Sequence, residues 1–236
     1  MFGSLAGLGG GFLIVPVLRL AFSISPTLAT AASLLFVFAN TLAASIAFIR
    51  RGLVDMRRAV IISVAAIPSS IGGAALVALL PNREFDLVYG IFLIAVGVMI
   101  FTRRNAGPST AHRTQRNELL LQIVTGLFVG FISSFFGIGG GIVLAPIMLV
   151  AFPLDAHTVA ATTAFVVMLT SPVGVIAHGL YGNFDPLLAA PLALGGFTGG
   201  SVGARLARRL HAHHISTLMA VMIVLAALAL MLKHLI

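Results

Sequence analysis

The sequence contains no cysteine and no tryptophan, and charged residues make up only 8% of its 236 residues. Without cysteine there is no disulfide framework, no thiolate metal site and no cysteine nucleophile. A soluble domain carries about 25% charged residues, so this chain has too few charges to cover a surface that faces water. Hydrophobic residues make up 59% of the chain, and the composition therefore predicts a membrane protein surrounded by a lipid bilayer.

The few charges are mostly basic, and they lie in short clusters between long apolar runs. The formal net charge is +8, but a nucleic-acid-binding domain would gather its basic residues on one face of a soluble fold, so no nucleic-acid partner is predicted. Lys and Arg clusters beside apolar runs are typical of cytoplasmic loops in multi-pass proteins of the cell inner membrane. Eleven of the fourteen Lys and Arg residues form three such clusters: Arg50, Arg51, Arg57, Arg58; Arg103, Arg104, Arg113, Arg116; Arg205, Arg208, Arg209.

Several stretches are long enough to cross a bilayer, which takes about 20 apolar residues in a helix. Two more apolar stretches, Met1–Phe22 and Leu119–Phe152, are interrupted by glycine triplets. The clear spans lie near Thr27–Ile49, Ala59–Leu80, Leu87–Phe101, Thr158–Leu180, Leu187–Leu206 and Ile215–Leu235.

The two interrupted stretches belong to an internal duplication. A shift of 130 positions aligns Gly7–Asp55 with Gly137–Asp185 without a gap and gives 13 identities in 49 positions. These identities include five glycines, one proline and one aspartate, which apolar composition alone would not bring into register. The chain is therefore predicted to consist of two related halves.

The arginine clusters predict that the two halves have opposite orientations, as in many transporters. If all three clusters are cytoplasmic, Glu118–Phe152 must enter and leave the membrane on one side, as a hairpin bent near Gly139–Gly141, and its counterpart enters from outside. We predict an all-α polytopic membrane protein with two inverted-topology repeats, each a glycine-broken membrane hairpin followed by three transmembrane helices. The first repeat covers 1–103, a cytoplasmic linker 104–117 and the second repeat 118–236. The first hairpin is predicted to be truncated, because it lacks about thirteen residues relative to the second; either the natural start lies upstream or the first hairpin is short.

The glycine breaks are the predicted binding site for a small anion. Backbone groups freed within a membrane need protein or a wet cavity as a partner, and helices that begin there point partly positive N–H groups into that space. The alternative is that small residues only let helices pack closely. A proline follows each triplet five residues later, at Pro16 and Pro146, and this repetition favours a site.

Polar side chains occupy matching places in the spans that follow the two hairpins. Hydroxyl and amide groups can donate hydrogen bonds to an oxyanion, although Ser and Thr often bond to the backbone of their own helix instead. The candidate substrate-binding residues are Gly9, Gly10, Gly11, Ser33, Asn40, Thr41, Gly139, Gly140, Gly141, Thr163, Thr170 and Ser171.

No enzyme activity, cofactor or metal site is predicted. Asp55 and Asp185 lie in G-x-x-D turns at span ends, where they are expected to cap the next helix. His178, near the end of a span, could titrate or bind a ligand, but we expect it to be a simple interfacial histidine. A cluster of three histidines lies beside cytoplasmic arginines and has no partner group for a metal: His211, His213 and His214. The glycine motif at 7–11 lacks the third glycine and the preceding strand of a nucleotide-binding loop.

The paired motifs, G-L-G-G-G-F-L-I-V-P at 7–16 and G-I-G-G-G-I-V-L-A-P at 137–146, resemble those of the TauE/SafE sulfite exporter family. The resemblance implies a permease for sulfite, sulfonates or other small sulfur-containing anions. We therefore expect a secondary carrier whose central site is formed by the two hairpins and the spans after them. An anion channel and a non-transporting membrane scaffold are the alternatives, and a homo-oligomer is compatible with each of them.

Overall fold

The computed structural model describes residues 9–103, 115–206 and 223–230, and the side chains of these residues except 100–103 and 202–206. The regular elements in these ranges are all α-helices. They are α1 (Gly11–Ala21), α2 (Pro26–Ile49), α3 (Met56–Leu79), α4 (Asn82–Arg103), α5 (Gln115–Phe136), α6 (Gly141–Ala151), α7 (Ala156–Leu180), α8 (Pro186–Leu206) and α9 (223–230).

The helix starts repeat with the period of the sequence duplication. Helices α1, α2 and α3 begin at 11, 26 and 56, and helices α6, α7 and α8 begin at 141, 156 and 186. Each start in the second group lies 130 positions after its counterpart, which is the shift that aligns the two halves of the sequence. Helix α5 precedes α6, and the positions 130 residues before α5 fall outside the described part of the chain, which begins at residue 9.

Four of the helices are long and apolar enough to cross a membrane: α2, α3, α5 and α7. Three of them confirm the predicted spans Thr27–Ile49, Ala59–Leu80 and Thr158–Leu180 to within a few residues. The sequence predicts α5 as the first arm of a hairpin, and its 22 residues extend about 33 Å at 1.5 Å per residue. This arm is therefore as long as a full crossing.

Two more predicted spans fall within helices of the structure, Leu87–Phe101 within α4 and Leu187–Leu206 within α8. Of Ile215–Leu235, only 223–230 belong to the described residues, and they are helical. Three residues of α9 are buried in the same apolar cluster as α1 and α4: Ile223, Ala227 and Leu230.

The two G-x-x-D turns begin the next helix in the same way. The Asp55 carboxylate accepts a hydrogen bond from the Arg58 backbone N–H at 3.0 Å, and Asp185 accepts one from the backbone N–H two residues later at 2.9 Å. Gly52 and Gly182 have φ angles of 65° and 70°, which glycine adopts without the steric cost of a Cβ atom. The prediction that these aspartates cap helices is confirmed.

The helix pairs α3–α5 and α2–α8 pack with their backbones in direct contact. A Cβ atom added at Gly130 of α5 would lie 2.3 Å from the carbonyl oxygen of Ala66 in α3. A Cβ atom at Gly196 of α8 would lie 2.5 Å from the carbonyl oxygen of Phe36 in α2. Small residues at such interfaces allow the close approach that drives helix association in membranes. Helix α7 packs against both α2 and α3 and joins the two pairs.

The described arginines separate to the two ends of the bundle. At one end, here called the arginine end, Arg58 donates from Nε to Glu118 at the start of α5 at 2.8 Å and also bonds Asp55. The guanidinium group lies 5.5 Å from the centre of the Phe152 ring, at the end of α6. Helices α5 and α6 therefore form a hairpin whose two open ends meet at the arginine end. Arg19 lies at the other end, here called the opposite end, where α1 finishes and α4 begins.

The outer surface carries exposed aliphatic side chains at helical spacing. On α3, four of them share one face and are between 42% and 60% exposed: Val60, Val64, Ile67 and Ile71. A stripe of this kind on a helix that packs its other face into the bundle is the surface that a protein presents to lipid. The described part of the chain is thus an apolar bundle with an apolar exterior.

The close packing of α3 on α5 predicts different effects of alanine at two adjacent glycines. A Cβ atom at Gly73 would lie 2.5 Å from the carbonyl oxygen of Phe131, whereas at Gly72 nothing lies within 4 Å. Gly73→Ala should therefore cost about 1–3 kcal/mol of stability through overpacking and lower the melting temperature of the purified protein in detergent. Gly72→Ala should leave it unchanged or raise it slightly, since alanine favours helix. Equal melting temperatures for the two variants would contradict the described packing.

Candidate functional site

The two glycine triplets lie together in the interior of the bundle. Gly9 and Gly139 both have a φ of 76°, and Gly10 and Gly140 have φ angles of 79° and 73°. Residues other than glycine rarely adopt this left-handed backbone conformation, which explains why glycine recurs at these positions. One residue later, α1 and α6 begin, so the two triplets form equivalent turns that each lead into a short helix.

Both glycine turns pack on the same two valines, Val37 and Val167, which are equivalent in the duplication. A Cβ atom at Gly139 would lie 2.3 Å from Val37 Cγ1 and 2.9 Å from Val167 Cγ1. At Gly9 the corresponding distances are 2.8 Å and 3.7 Å. The sequence-predicted site therefore does come together, and in this conformation valine side chains fill the space between its two turns.

Ser33 connects the two glycine breaks. It is fully buried, and its hydroxyl oxygen lies 2.6 Å from the carbonyl oxygen of Gly137 and 3.2 Å from that of Gly11. A serine hydroxyl has one hydrogen to donate, and the shorter distance assigns it to Gly137. Ser33 thus holds the backbone of the second break against the start of α1.

Asn40 supports the first glycine turn. Its Nδ2 donates to the carbonyl oxygen of Gly9 at 2.9 Å. Its Oδ1 is buried without a hydrogen-bond partner among the described residues and faces Gly200 of α8, where a Cβ atom would lie 2.6 Å from it. One of the two amide hydrogens therefore fixes the turn.

Two hydroxyl groups of the predicted set are used within their own helix. Thr41 donates to the carbonyl oxygen of Val37 at 2.8 Å, and Thr170 lies 3.5 Å from the carbonyl oxygen of Val167. This is the alternative that the sequence leaves open for Ser and Thr. In this conformation the Thr41 hydroxyl is committed to a backbone carbonyl, whereas the Thr170 hydroxyl makes only a long contact with one.

The last two polar candidates are buried on α7. The hydroxyl of Thr163 lies 3.7 Å from the sulfur of Met148 in α6. Ser171 is fully buried, and its hydroxyl has no hydrogen-bond partner among the described residues. An unsatisfied buried hydroxyl costs about 1–3 kcal/mol, so Ser171 has the most to gain from a polar ligand.

A buried ion pair that the sequence analysis does not predict joins the end of α1 to α4. Arg19 is 3% exposed and Asp86 is 0% exposed, and two nitrogens of the guanidinium group donate to the carboxylate at 2.7 Å and 2.6 Å. Further hydrogen bonds reach the carbonyl oxygens of Ile24 at 2.7 Å and Asn82 at 3.2 Å. The pair fixes the end of α1 and therefore the turn at its beginning. One feature of the sequence indicates a special role for Arg19: it aligns with Leu149 and so breaks the apolar pattern that the two halves share.

The expectation for His178 is wrong. The structure buries this residue completely, and its Nε2 lies 3.0 Å from the carbonyl oxygen of Ser134 in the last turn of α5. Its Nδ1 has no hydrogen-bond partner among the described residues. His178 is buried because α5 is long enough for its last turn to cover the end of α7, which would otherwise face the interface.

In the described ranges, no three His, Cys, Asp or Glu side chains are placed together to bind a metal ion. The histidine cluster His211, His213 and His214 lies outside the described residues.

Two broken helices that meet inside an apolar helical bundle are the architecture of secondary transporters. The structure thus defines a multi-pass membrane protein of the transporter class. The family described as Sulfite exporter TauE/SafE matches residues 1–230, and the chain belongs to this family.

Relatives of known name agree with this class. The chain is 29% identical to the "Probable membrane transporter protein YunE" of Bacillus subtilis, over 94% of this chain and 90% of the relative. It is 29% identical to the "Probable membrane transporter protein MJ0441" of Methanocaldococcus jannaschii, over 75% and 67% of the two chains. It is 28% identical to the "Sulfite exporter TauE/SafE family protein 1" of Arabidopsis thaliana, over 48% and 25%. No solved structure matches the chain.

The buried ion pair predicts a large effect of removing its cation. Arg19→Met takes the bidentate partner away from the buried Asp86 carboxylate and should destabilise the protein by about 3–5 kcal/mol. Arg83→Met removes an exposed arginine at the same end and serves as the control, with little effect expected. Thermal unfolding in detergent measures both, and the double variant Arg19→Met/Asp86→Leu should recover part of the loss. A double variant less stable than Arg19→Met would contradict the coupling of the two charges.

Proposed function

We propose that the chain is a secondary carrier of a small sulfur-containing oxyanion, such as sulfite or a sulfonate, and that the anion binds between the two glycine turns. The observation that carries this proposal is that the turns before α1 and α6 pack on one pair of valines, so that two helix N-termini converge on one point. Each N-terminus carries roughly half a positive charge. The family description supports a sulfur oxyanion as the substrate.

Neutral donors complete the proposed site. The backbone N–H groups at the start of each short helix favour an anion without a lysine or arginine beside it. Ser171 contributes a hydroxyl that has no protein partner in the described residues, four positions beyond Val167. Asn40 and Ser33 hold the two turns in shape rather than lying open to the ligand.

The inverted arrangement of the two halves is part of the proposal. The contact of α2 with α8 has its counterpart in the contact of α7 with α3, and α2 and α7 contact each other. A single two-fold axis would exchange these pairs. Helix α1 ends at the opposite end near Arg19, whereas its equivalent α6 ends at the arginine end beside Arg58. Equivalent helices that run in opposite directions support an axis in the membrane plane.

The packing at the centre favours a carrier over a channel. Val37 and Val167 fill the space between the glycine turns, so an anion enters only when the helices that carry these valines move apart. Rocking of one helix group against the other would open the centre to one side at a time. A channel would instead need a continuous wet path through the same point.

Transport by the purified protein in liposomes tests this function. We expect saturable uptake and counterflow of at least one anion from a panel of sulfite, thiosulfate, methanesulfonate and acetate. A hydrogen bond to a charged group contributes about 1.5–3 kcal/mol, so Ser171→Ala should weaken the apparent affinity by about tenfold or more. Thr41→Val, at the equivalent position, removes a hydroxyl already bonded to its own helix and should change the affinity little.

Each alternative outcome has a distinct meaning. Unsaturable current without counterflow would identify an anion channel, and no flux of any anion in the panel would favour a membrane scaffold. A stronger effect of Thr41→Val than of Ser171→Ala would place the anion away from the unpartnered hydroxyl and contradict the proposed site.

The proposed orientation places the arginine end in the cytoplasm of a cell with an inner membrane. Because the chain has no cysteine, single cysteines can be introduced without background. Arg51 and Arg83 are both exposed and lie at the two different ends. In intact cells an impermeant thiol reagent should label Arg83→Cys and leave Arg51→Cys unlabelled. The reverse labelling would show that the protein is inserted the other way round.

A further inference from the structure

His178 is a buried titratable side chain that the proposed anion site does not use. Three basic or acidic side chains are completely or almost completely buried among the described residues: Arg19, Asp86 and His178. The first two form an ion pair with each other. His178 makes its hydrogen bond to a backbone carbonyl instead.

The hydrogen bond of His178 determines which ring nitrogen is available. The carbonyl groups in the last turn of a helix lack partners within the helix, and Ser134 lies in the last turn of α5. The ring therefore donates from Nε2 to the Ser134 carbonyl, and in the neutral imidazole this leaves Nδ1 with a free lone pair. The C-terminus of α5 also carries roughly half a negative charge, which favours a protonated ring beside it.

Unpartnered polar groups continue from His178 towards the centre. Ser171, Gly174 and His178 share one face of α7 by their spacing, and a Cβ atom at Gly174 would lie 2.6 Å from the Ser134 hydroxyl oxygen. We call Ser134, Ser171, Gly174 and His178 the polar seam. The hydroxyls of Ser134 and Ser171 and the Nδ1 of His178 are all buried without a partner among the described residues. Buried polar groups normally have partners, so the seam is suited to water or to a polar ligand.

Among the described residues, the helices that pack most extensively on α7 are α2, α3, α5 and α6, and none of these four places a carboxylate beside His178. Helices α2 and α6 contain no acidic or basic residue. The charged residues of α3 and α5 all lie in the first turns, near the arginine end: Arg57, Arg58, Arg116 and Glu118. Asp185, after the end of α7, caps the start of α8. A positive charge on His178 is thus balanced by no carboxylate of these helices, and a mobile anion could balance it.

We propose that His178 binds the proton in an anion–proton symport, a step that rests on the carrier function proposed above. Nδ1 takes up one proton, the ring becomes an imidazolium, and the polar seam links it to the anion near Ser171. One proton and one singly charged anion then cross together without net charge and dissociate on the other side. Histidine suits this role because it changes charge between about pH 5 and 8.

His178→Gln tests the proposal, because glutamine keeps an N–H for the Ser134 carbonyl but does not titrate in this range. In liposomes with the panel anion that the wild type carries best, we expect counterflow by the variant to continue at a weaker apparent affinity, because glutamine offers the anion no positive charge. A gradient of one pH unit should drive about tenfold accumulation by the wild type, and the variant should lose this accumulation and the pH dependence of uptake. His157→Gln, the same change at the exposed start of α7, should behave as the wild type.

Calorimetry gives a second readout that does not depend on transport by the variant. Anion binding to the wild type, measured in two buffers of different ionisation enthalpy, should take up about one proton more than the anion itself accounts for. Proton-driven accumulation by His178→Gln, or no net proton uptake by the wild type, would overturn the role of His178 while leaving the carrier intact. Absence of flux and binding for every panel anion would overturn the carrier function and this proposal together.

Discussion

Backbone hydrogen bonding controls where this bundle can be interrupted. Within a membrane, a broken helix leaves N–H and C=O groups that water cannot reach. Here buried side chains contact the backbone at both breaks. The Ser33 hydroxyl lies within hydrogen-bonding distance of a carbonyl oxygen at each break, and Asn40 donates to the carbonyl oxygen of Gly9. The N–H groups at the start of α1 and α6 can then point to a common centre. The short helices, their left-handed glycines and the proposed anion site all depend on these two buried donors.

Much of the architecture could be predicted because its signals are local in sequence. Glycines that need positive φ, aspartates that cap helices and apolar runs of fixed length gave the helices and their period of 130. The partners of side chains across the fold could not be predicted in this way. Arg19 and Asp86 are 67 positions apart and have no counterpart in the other half. The depth of His178 depends on how far α5 extends, which apolar composition does not determine.

The sequence predicted which residues form the candidate site but not the role of each side chain in it. The glycines do come together, but of the polar side chains only Ser171 keeps an unpartnered hydroxyl, whereas Thr41 is bonded to its own helix. These two positions are equivalent in the duplication. The backbone of each half is thus the same, whereas side chains at equivalent positions have different hydrogen-bonding roles. A sequence pattern that aligns the halves detects the shared backbone and cannot detect this division.

The glycine contacts between α3 and α5 have a consequence for how the molecule can deform. Carbonyl groups of one helix occupy the places where the other has no side chain, so this interface resists sliding. Helix α3 belongs to the first half and α5 to the second, and the same exchange occurs where α8 packs on α2. The mechanical units are therefore mixed pieces taken from both halves. A movement that separates Val37 from Val167 would open the contact of α2 with α7. The pairs α3–α5 and α2–α8 would then move as units, and the connections within each half would have to bend.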